Sequence, residues 1–345
     1  MPFNPVFLNS FVIASLFIIG WAGPVSSKQD QQENPAQPGS TAPHKKKQPD
    51  SQKKTIAYFN PVDKSIYLLT DFSKKTKLVA VEDGTATWPI FSPDGKKIAF
   101  AGSVKGVVAT YAMDAQTGNN VRQITRPEGD LPEGVLDWHS DGRLVCVTKN
   151  REGNAEIYLV KDRHNMTNLT QHKHWDFFPL SHPDGLISFW TSRDDPKANS
   201  KEYDYQSVYT VNPDGTNLRK RFQIKEMTNE SVGSGIFPAI SPNGKIYVFM
   251  MNQDLYMIKM DGKGLANLTN TKEAPELFPF FSCEENDRVY FVSQEKGSAL
   301  NIFSIDLKNH NKKQHTFFKD EIILYPKFMP FQRAPSKKHG QPGNS

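Results

Sequence analysis

From residue 55 to residue 330 the apolar side chains fall in short runs, and five of those runs share one context. KKIAFAG, RLVCVTK, LISFWTS, KIYVFMM and RVYFVSQ each begin just after a polar turn, and all but the last of these turns end in Gly. Runs this short, bounded by turns and rich in Val, Ile, Phe and Tyr, predict strands rather than helices. The segment ahead of each run is itself a repeat: WPIFSPDG (88–95), LDWHSDG (136–142), FPLSHPDG (178–185), FPAISPNG (237–244) and the decayed FPFFSCEE (278–285). Behind each run comes an aromatic-containing strand and a second turn, as in TYAMDAQTG, IYLVKDRHN, VYTVNPDG, LYMIKMDG and IFSIDLKN. A fourth segment often closes on Ile-Thr or Leu-Thr, as in VRQIT, TNLT and ANLT.

The copies recur at about 40 to 60 residues, the size of a four-stranded propeller blade. The two ends of this region complete the count. The runs at 56–58, 66–70 and 77–81 match strands two, three and four of a blade with no first strand ahead of them. LYPKFMP (324–330) is a first strand with nothing after it. The expected fold is therefore all-β, a six-bladed β-propeller whose first blade takes one C-terminal and three N-terminal strands. Closing the ring in this way removes the open sheet edges.

The turn itself has an ordinary physical logic. Proline fixes one φ, the Asp side chain accepts backbone hydrogen bonds, and Gly is free to take a positive φ. Asp94, Asp141 and Asp184 are expected to be turn residues, and His139 and His182, which replace the Ser of the motif, to stabilise the same turns.

Outside the repeats the chain changes character. Residues 1–27 carry no charged side chain, and the apolar run Phe11 to Trp21 followed by small residues at Ala22 and Ser27 has the form of an export signal. No stable membrane span is expected after its cleavage. Residues 28–54 are Gln, Pro, Ser and Lys with hardly an apolar group, a composition expected to form a disordered tether. Residues 331–345 form a similar basic tail. The formal charge of +5 belongs to these tails, which leaves residues 55–330 near −1. Nothing in such a body calls for nucleic acid. Two cysteines, Cys146 and Cys283, make no disulfide framework.

Candidate chemistry is sparse. The sequence holds no Gly-x-Ser-x-Gly, His-Glu-x-x-His, phosphate-binding glycine loop or Cys-x-x-Cys. No enzyme activity and no cofactor is expected. The enzymatic alternative is a metal-dependent polysaccharide lyase or hydrolase, with His172, His174 and Asp176 as metal ligands. The expected binding surface is the face opposite the Pro-Asp-Gly turns, where every inter-blade connection carries an acid: Glu82 and Asp83; Glu128, Asp130 and Glu133; Asp176; Glu230; Glu273 and Glu276; Asp320 and Glu321. A ring of carboxylates at a channel mouth favours a basic peptide or a cation. The longest insertion, SRDDPKANSKEYDYQ (192–206), falls on the same face and offers Tyr203 and Tyr205 as contact aromatics.

The repeat Pro-x-Phe/Trp-Ser-Pro-Asp-Gly-Lys-x-Ile-x-Phe, followed by Ile-Tyr-x-x-Asp-x-x-Gly and Leu-Thr, resembles the six-bladed propellers of the TolB type over roughly residues 55–330. Related repeats occur in the propellers of Tricorn-type and prolyl peptidases. TolB proteins also carry an α/β domain ahead of the propeller, where this chain has the leader and tether. The resemblance implies an exported protein, periplasmic if the source is Gram-negative. It also implies a monomer that binds an envelope protein or peptide, such as a peptidoglycan-associated lipoprotein. No contact residue carries over, because the matching motif is structural.

Overall fold

The computed structural model describes residues 54–78, 86–125, 134–149, 153–194, 207–228, 236–271, 274–294 and 299–330. The leader, all of the tether except Lys54, and the basic tail lie outside this set. Among the described residues, twenty-four strands form six antiparallel sheets of four strands each. In the split blade, Leu324–Phe328 pairs with Thr55–Asn60, which continues to Ser65–Thr70 and Lys74–Lys77. The other five blades run in chain order from the innermost strands Ala86–Phe91, Gly134–Trp138, Asp176–Ser181, Ala239–Ile240 and Glu276–Phe281. Among the described residues the only helix is the four-residue Lys225–Thr228, and no helix is long and apolar enough to cross a membrane.

Blades cohere through apolar faces of neighbouring sheets. Ile56, Tyr58 and Leu69 of the split blade share a buried cluster with Phe280, Tyr290 and Phe291 of the last one. Trp190 of the fourth blade packs against Phe249 of the fifth at 5.2 Å between ring centres, the planes tilted by 55°. Such aromatic pairs add to the area they bury.

The repeated polar residues have defined tasks. Gly95 closes its turn on Ser92 at 2.8 Å with φ of +67°, while the Ser92 hydroxyl donates to Asp94 at 2.6 Å. A threonine at the end of the fourth segment, preceded by Ile124, Leu169, Leu268 or His315, caps the third strand in four blades. The hydroxyls of Thr125, Thr170, Thr269 and Thr316 accept the N–H groups of Thr110, Ile157, Leu255 and Ile302 at 2.8 to 3.1 Å. The neighbouring Leu169 and Leu268 are buried. One residue thus satisfies a backbone donor where the ladder ends and its neighbour anchors the outer strand.

His139 and His182 also reach across blades. His139 places Nδ1 on Asp141 at 2.9 Å and Nε2 against the Gly185 carbonyl of the next blade at 3.1 Å. His182 meets the Tyr247 hydroxyl of the following blade at 3.0 Å, and burial pushes its pKa down to about 4, so it is neutral.

Candidate binding site on the propeller axis

Five blades carry an aromatic residue followed by proline at the innermost position, Trp88, Phe178, Phe278 and Tyr325 within the strand and Phe237 just ahead of it. Each aromatic has a positive φ, between 34° and 55°, a conformation that is costly for a bulky side chain. The proline beside it has no N–H to give the ladder. Pairing accordingly skips this point, with register shifts at Thr87/Ile90, Phe177/Leu180 and Leu277/Phe280. A bulge of this kind re-aims a side chain, and here all five rings turn toward the axis. Phe237 lies within 4.9 to 6.2 Å of the ring centres of Trp88, Phe178, Phe278 and Tyr325. Tyr325 closes the circle onto Trp88 at 5.0 Å and Phe278 at 4.7 Å. The rings form an aromatic plug across the channel.

Two connected spaces lie on the Pro-Asp-Gly side of the plug. An apolar pocket of about 60 Å³ is lined by the five rings, their prolines, Ile90, Leu180 and Lys327. Outside it opens a vestibule of about 430 Å³ that shares Ile90, Leu180 and Lys327 and adds Asp137, Trp138, Ser140 and His182. Trp138 is steadied by an Nε1–H bond to the Ile90 carbonyl of the preceding blade at 3.3 Å.

The repeat shows how unusual two of these residues are. At the position two residues beyond the aromatic, four blades have Ile90, Leu180, Ala239 and Phe280, whereas the remaining two have Asp137 and Lys327. Asp137 accepts the Ser181 N–H at 2.7 Å and the Trp138 N–H at 2.8 Å. Burial dominates its titration and raises its pKa to about 6, against the backbone donors and Lys327, which favour the charged form. Burial likewise lowers the pKa of Lys327, and the Asp137 charge opposes that shift. Among the described residues none hydrogen-bonds the Lys327 ammonium or stands within ion-pair distance of it.

The acids expected on the other face have different surroundings. Asp176 is fully buried and bonded to Arg193 at 2.8 Å, and burial raises its pKa. Glu276, also fully buried, pairs with Lys312 at 3.3 Å and accepts from Thr271 at 2.8 Å. Glu321 accepts from Tyr58, Asn60 and Lys75. These three are held inside the blades by their own partners, a correction to their expected place in an open ring of charge. Asp320 is exposed. Glu82, Asp83, Glu128, Asp130, Glu133, Tyr203, Tyr205, Glu230 and Glu273 lie outside the described residues.

The residues of the alternative metal site lie close together, with the His172 and His174 rings 5.2 Å apart, and have partners of their own. His172 Nδ1 accepts the His174 N–H at 3.2 Å, and Asp176 is committed to Arg193. Among the described residues no group of three or more His, Cys, Asp or Glu is placed to hold a metal ion.

A family model described as the TolB beta propeller domain matches residues 43–211. The uncharacterized protein Atu1656 of Agrobacterium fabrum is 29% identical over 164 residues, 46% of this chain and 54% of its own length. The uncharacterized peptidase YuxL of Bacillus subtilis is 28% identical over 211 residues, 51% of this chain and 31% of its own length. The chain therefore spans about half of the first relative and about a third of the second. Among solved structures, TolB from Acinetobacter baumannii superposes with a TM-score of 0.61 at 17% identity, covering 81% of this chain and 67% of that one. With six four-stranded blades and a ring closed between strands from the two ends of the described region, the chain is a six-bladed β-propeller whose residues 43–211 match the TolB beta propeller domain.

Proposed function

We propose that this propeller is an exported, non-catalytic binding protein that takes a segment of an envelope protein or peptide at the turn-side end of its axial channel. The observation that carries this reading is the vestibule of about 430 Å³ with an apolar recess beneath it. Sites of this size, mostly apolar with a few convergent polar groups, are where ligands are bound. The plug at its floor makes the channel a blind socket, suited to holding a segment in place.

The histidines of the blades support a binding role over a hydrolytic one. His139 and His182 join blades, and His315 pairs with the Ser304 hydroxyl at 2.8 Å under stacked Phe72. The export signal expected at residues 1–27 supplies the envelope setting.

The test is retention of envelope proteins on the immobilised full chain, compared with a Ser140→Trp variant that fills the mouth of the vestibule. A protein retained by the native chain and lost from the variant is the expected result. Equal retention by both, or none by either, overturns the proposal.

A further inference from the structure

Lys327 and Asp137 are the charged exceptions in a ring position that is otherwise apolar, and their electrostatic situations are unequal. Asp137 already accepts two backbone N–H groups. The Lys327 ammonium has no acceptor within bonding distance among the described residues, although its chain position is fixed by pairing with Ala57. A partly buried cation against apolar walls, whose nearest anion, Asp137, lies beyond ion-pair distance, gains from a ligand that brings a negative charge into contact with it. The vestibule is therefore built to receive a negative charge at Lys327.

The shape of the channel narrows what kind of anion it is. Phe237 and its four neighbouring rings close the axis immediately beneath Lys327, and Lys327 lines both the vestibule and the small recess. A carboxylate in the middle of a chain would need room for chain to leave on both sides. A blind socket admits a chain end. The recess of about 60 Å³, walled by aromatic rings and prolines, suits a short aliphatic side chain next to that end.

We propose that the vestibule binds the free C-terminal carboxylate of a peptide with a small aliphatic last residue, the carboxylate on Lys327 and the side chain in the aromatic-proline recess. Asp137 faces the same space and acts on register: it repels the carboxylate from its own side and offers an acceptor to the ligand's backbone N–H. The site deepens the peptide-binding role proposed above and rests on it. An N-terminal ammonium is the competing occupant, and it would pair with Asp137; the two backbone donors already on Asp137 and the bare Lys327 favour the carboxylate.

Trp88 and Trp138 line the two spaces, so indole fluorescence of the full chain reports occupancy. The probes are Gly-Gly-Val with a free carboxylate and the same peptide as its C-terminal amide. The free acid is expected to bind at least about tenfold more tightly than the amide, since a charge-assisted contact is lost on amidation. Lys327→Met is expected to reduce acid binding to the level of the amide and to leave the amide unchanged. An unfolding midpoint for Lys327→Met at or above the native one shows that the loss is not misfolding. Acid and amide binding equally well, or Lys327→Met binding the acid normally, overturns the carboxylate site and leaves the peptide-binding role standing. Failure of both peptides to bind overturns this site, and retention on the Ser140→Trp column then decides the broader role separately.

Discussion

The two ends of the axial channel use charge in opposite ways. At the face where the blades connect, Asp176, Glu276 and Glu321 each have a basic partner within the fold, namely Arg193, Lys312 and Lys75. At the turn face Lys327 has no such partner and Asp137 is bonded only by backbone donors. In the first arrangement each carboxylate is already ion-paired within the fold, although Asp176 Oδ1 and Glu276 Oε2 accept no hydrogen bond, and a cationic ligand would have to compete with an internal partner. The second lacks such pairing. Acids at the start of inner strands therefore read as architecture, and a lone charge in an apolar repeat position reads as a site.

The sharpest way to break this comparison is to remove one partner from the paired end. Arg193 holds Asp176 at 2.8 Å and lies 4.8 Å over the Tyr209 ring. Arg193→Met leaves a buried carboxylate unpaired, a change that costs about 3–5 kcal/mol. Denaturant unfolding should show a large fall in midpoint, while peptide binding at the far end of the folded variant stays at its native level.

A smaller effect comes from Glu156, which belongs to the same end. Its carboxylate accepts the Thr170 hydroxyl at 2.5 Å and the His172 N–H at 2.7 Å, yet burial, with the Asp176 charge adding to it, raises its pKa to about 7. Folding therefore favours the protonated form. The group costs nothing below its ordinary pKa of 4.5, costs progressively more as pH rises toward 7, and costs its full amount above that. Glu156→Gln mimics the protonated acid. Its stability should exceed that of the native chain by no more than ~3 kcal/mol at pH 8, and the gain should vanish at pH 4.5. A gain that does not change with pH would show that Glu156 does not titrate in this range.

The blade plan was legible because it is repetitive: the turn WPIFSPDG, the strand after it and the Leu-Thr cap recur, and each recurrence has a local cause. The strand LYPKFMP at 324–330 stood out as unpaired, and the ring closes through it. What periodicity could not reveal was the partner of each acid. Asp176 and Arg193 stand at the two ends of a strand–turn–strand unit, and Glu276 and Lys312 are separated by most of a blade, so their neutralisation appears only when the sheet is folded. The axial site did leave a trace in the repeat. Aligning LDWHSDG and LYPKFMP with WPIFSPDG places Asp137 and Lys327 where Ile90 stands, and that mismatch was the available signal. The aromatic-proline pairs were equally visible as text. Their positive φ values, which send the rings inward, required the backbone.

The smallest effect is opposite in sign to that of Arg193→Met, and it sets the unpaired charge of one end apart from the paired charge of the other most directly. If Lys327 were part of a structural ion pair, removing its charge would destabilise the fold as Arg193→Met does. Its ammonium instead lies within the long-range field of Asp137, outside ion-pair distance, and burial works against its charge. Replacing it with a methionine of similar length removes the desolvation cost and keeps the apolar stem against the recess. Asp137 loses a distant counter-charge, and its two backbone donors remain. Lys327→Met should therefore be neutral or stabilising, by ~1 kcal/mol, in the denaturation experiment that registers a loss for Arg193→Met. A clear loss of stability would place Lys327 among the structural charges and erase the contrast between the two ends of the channel.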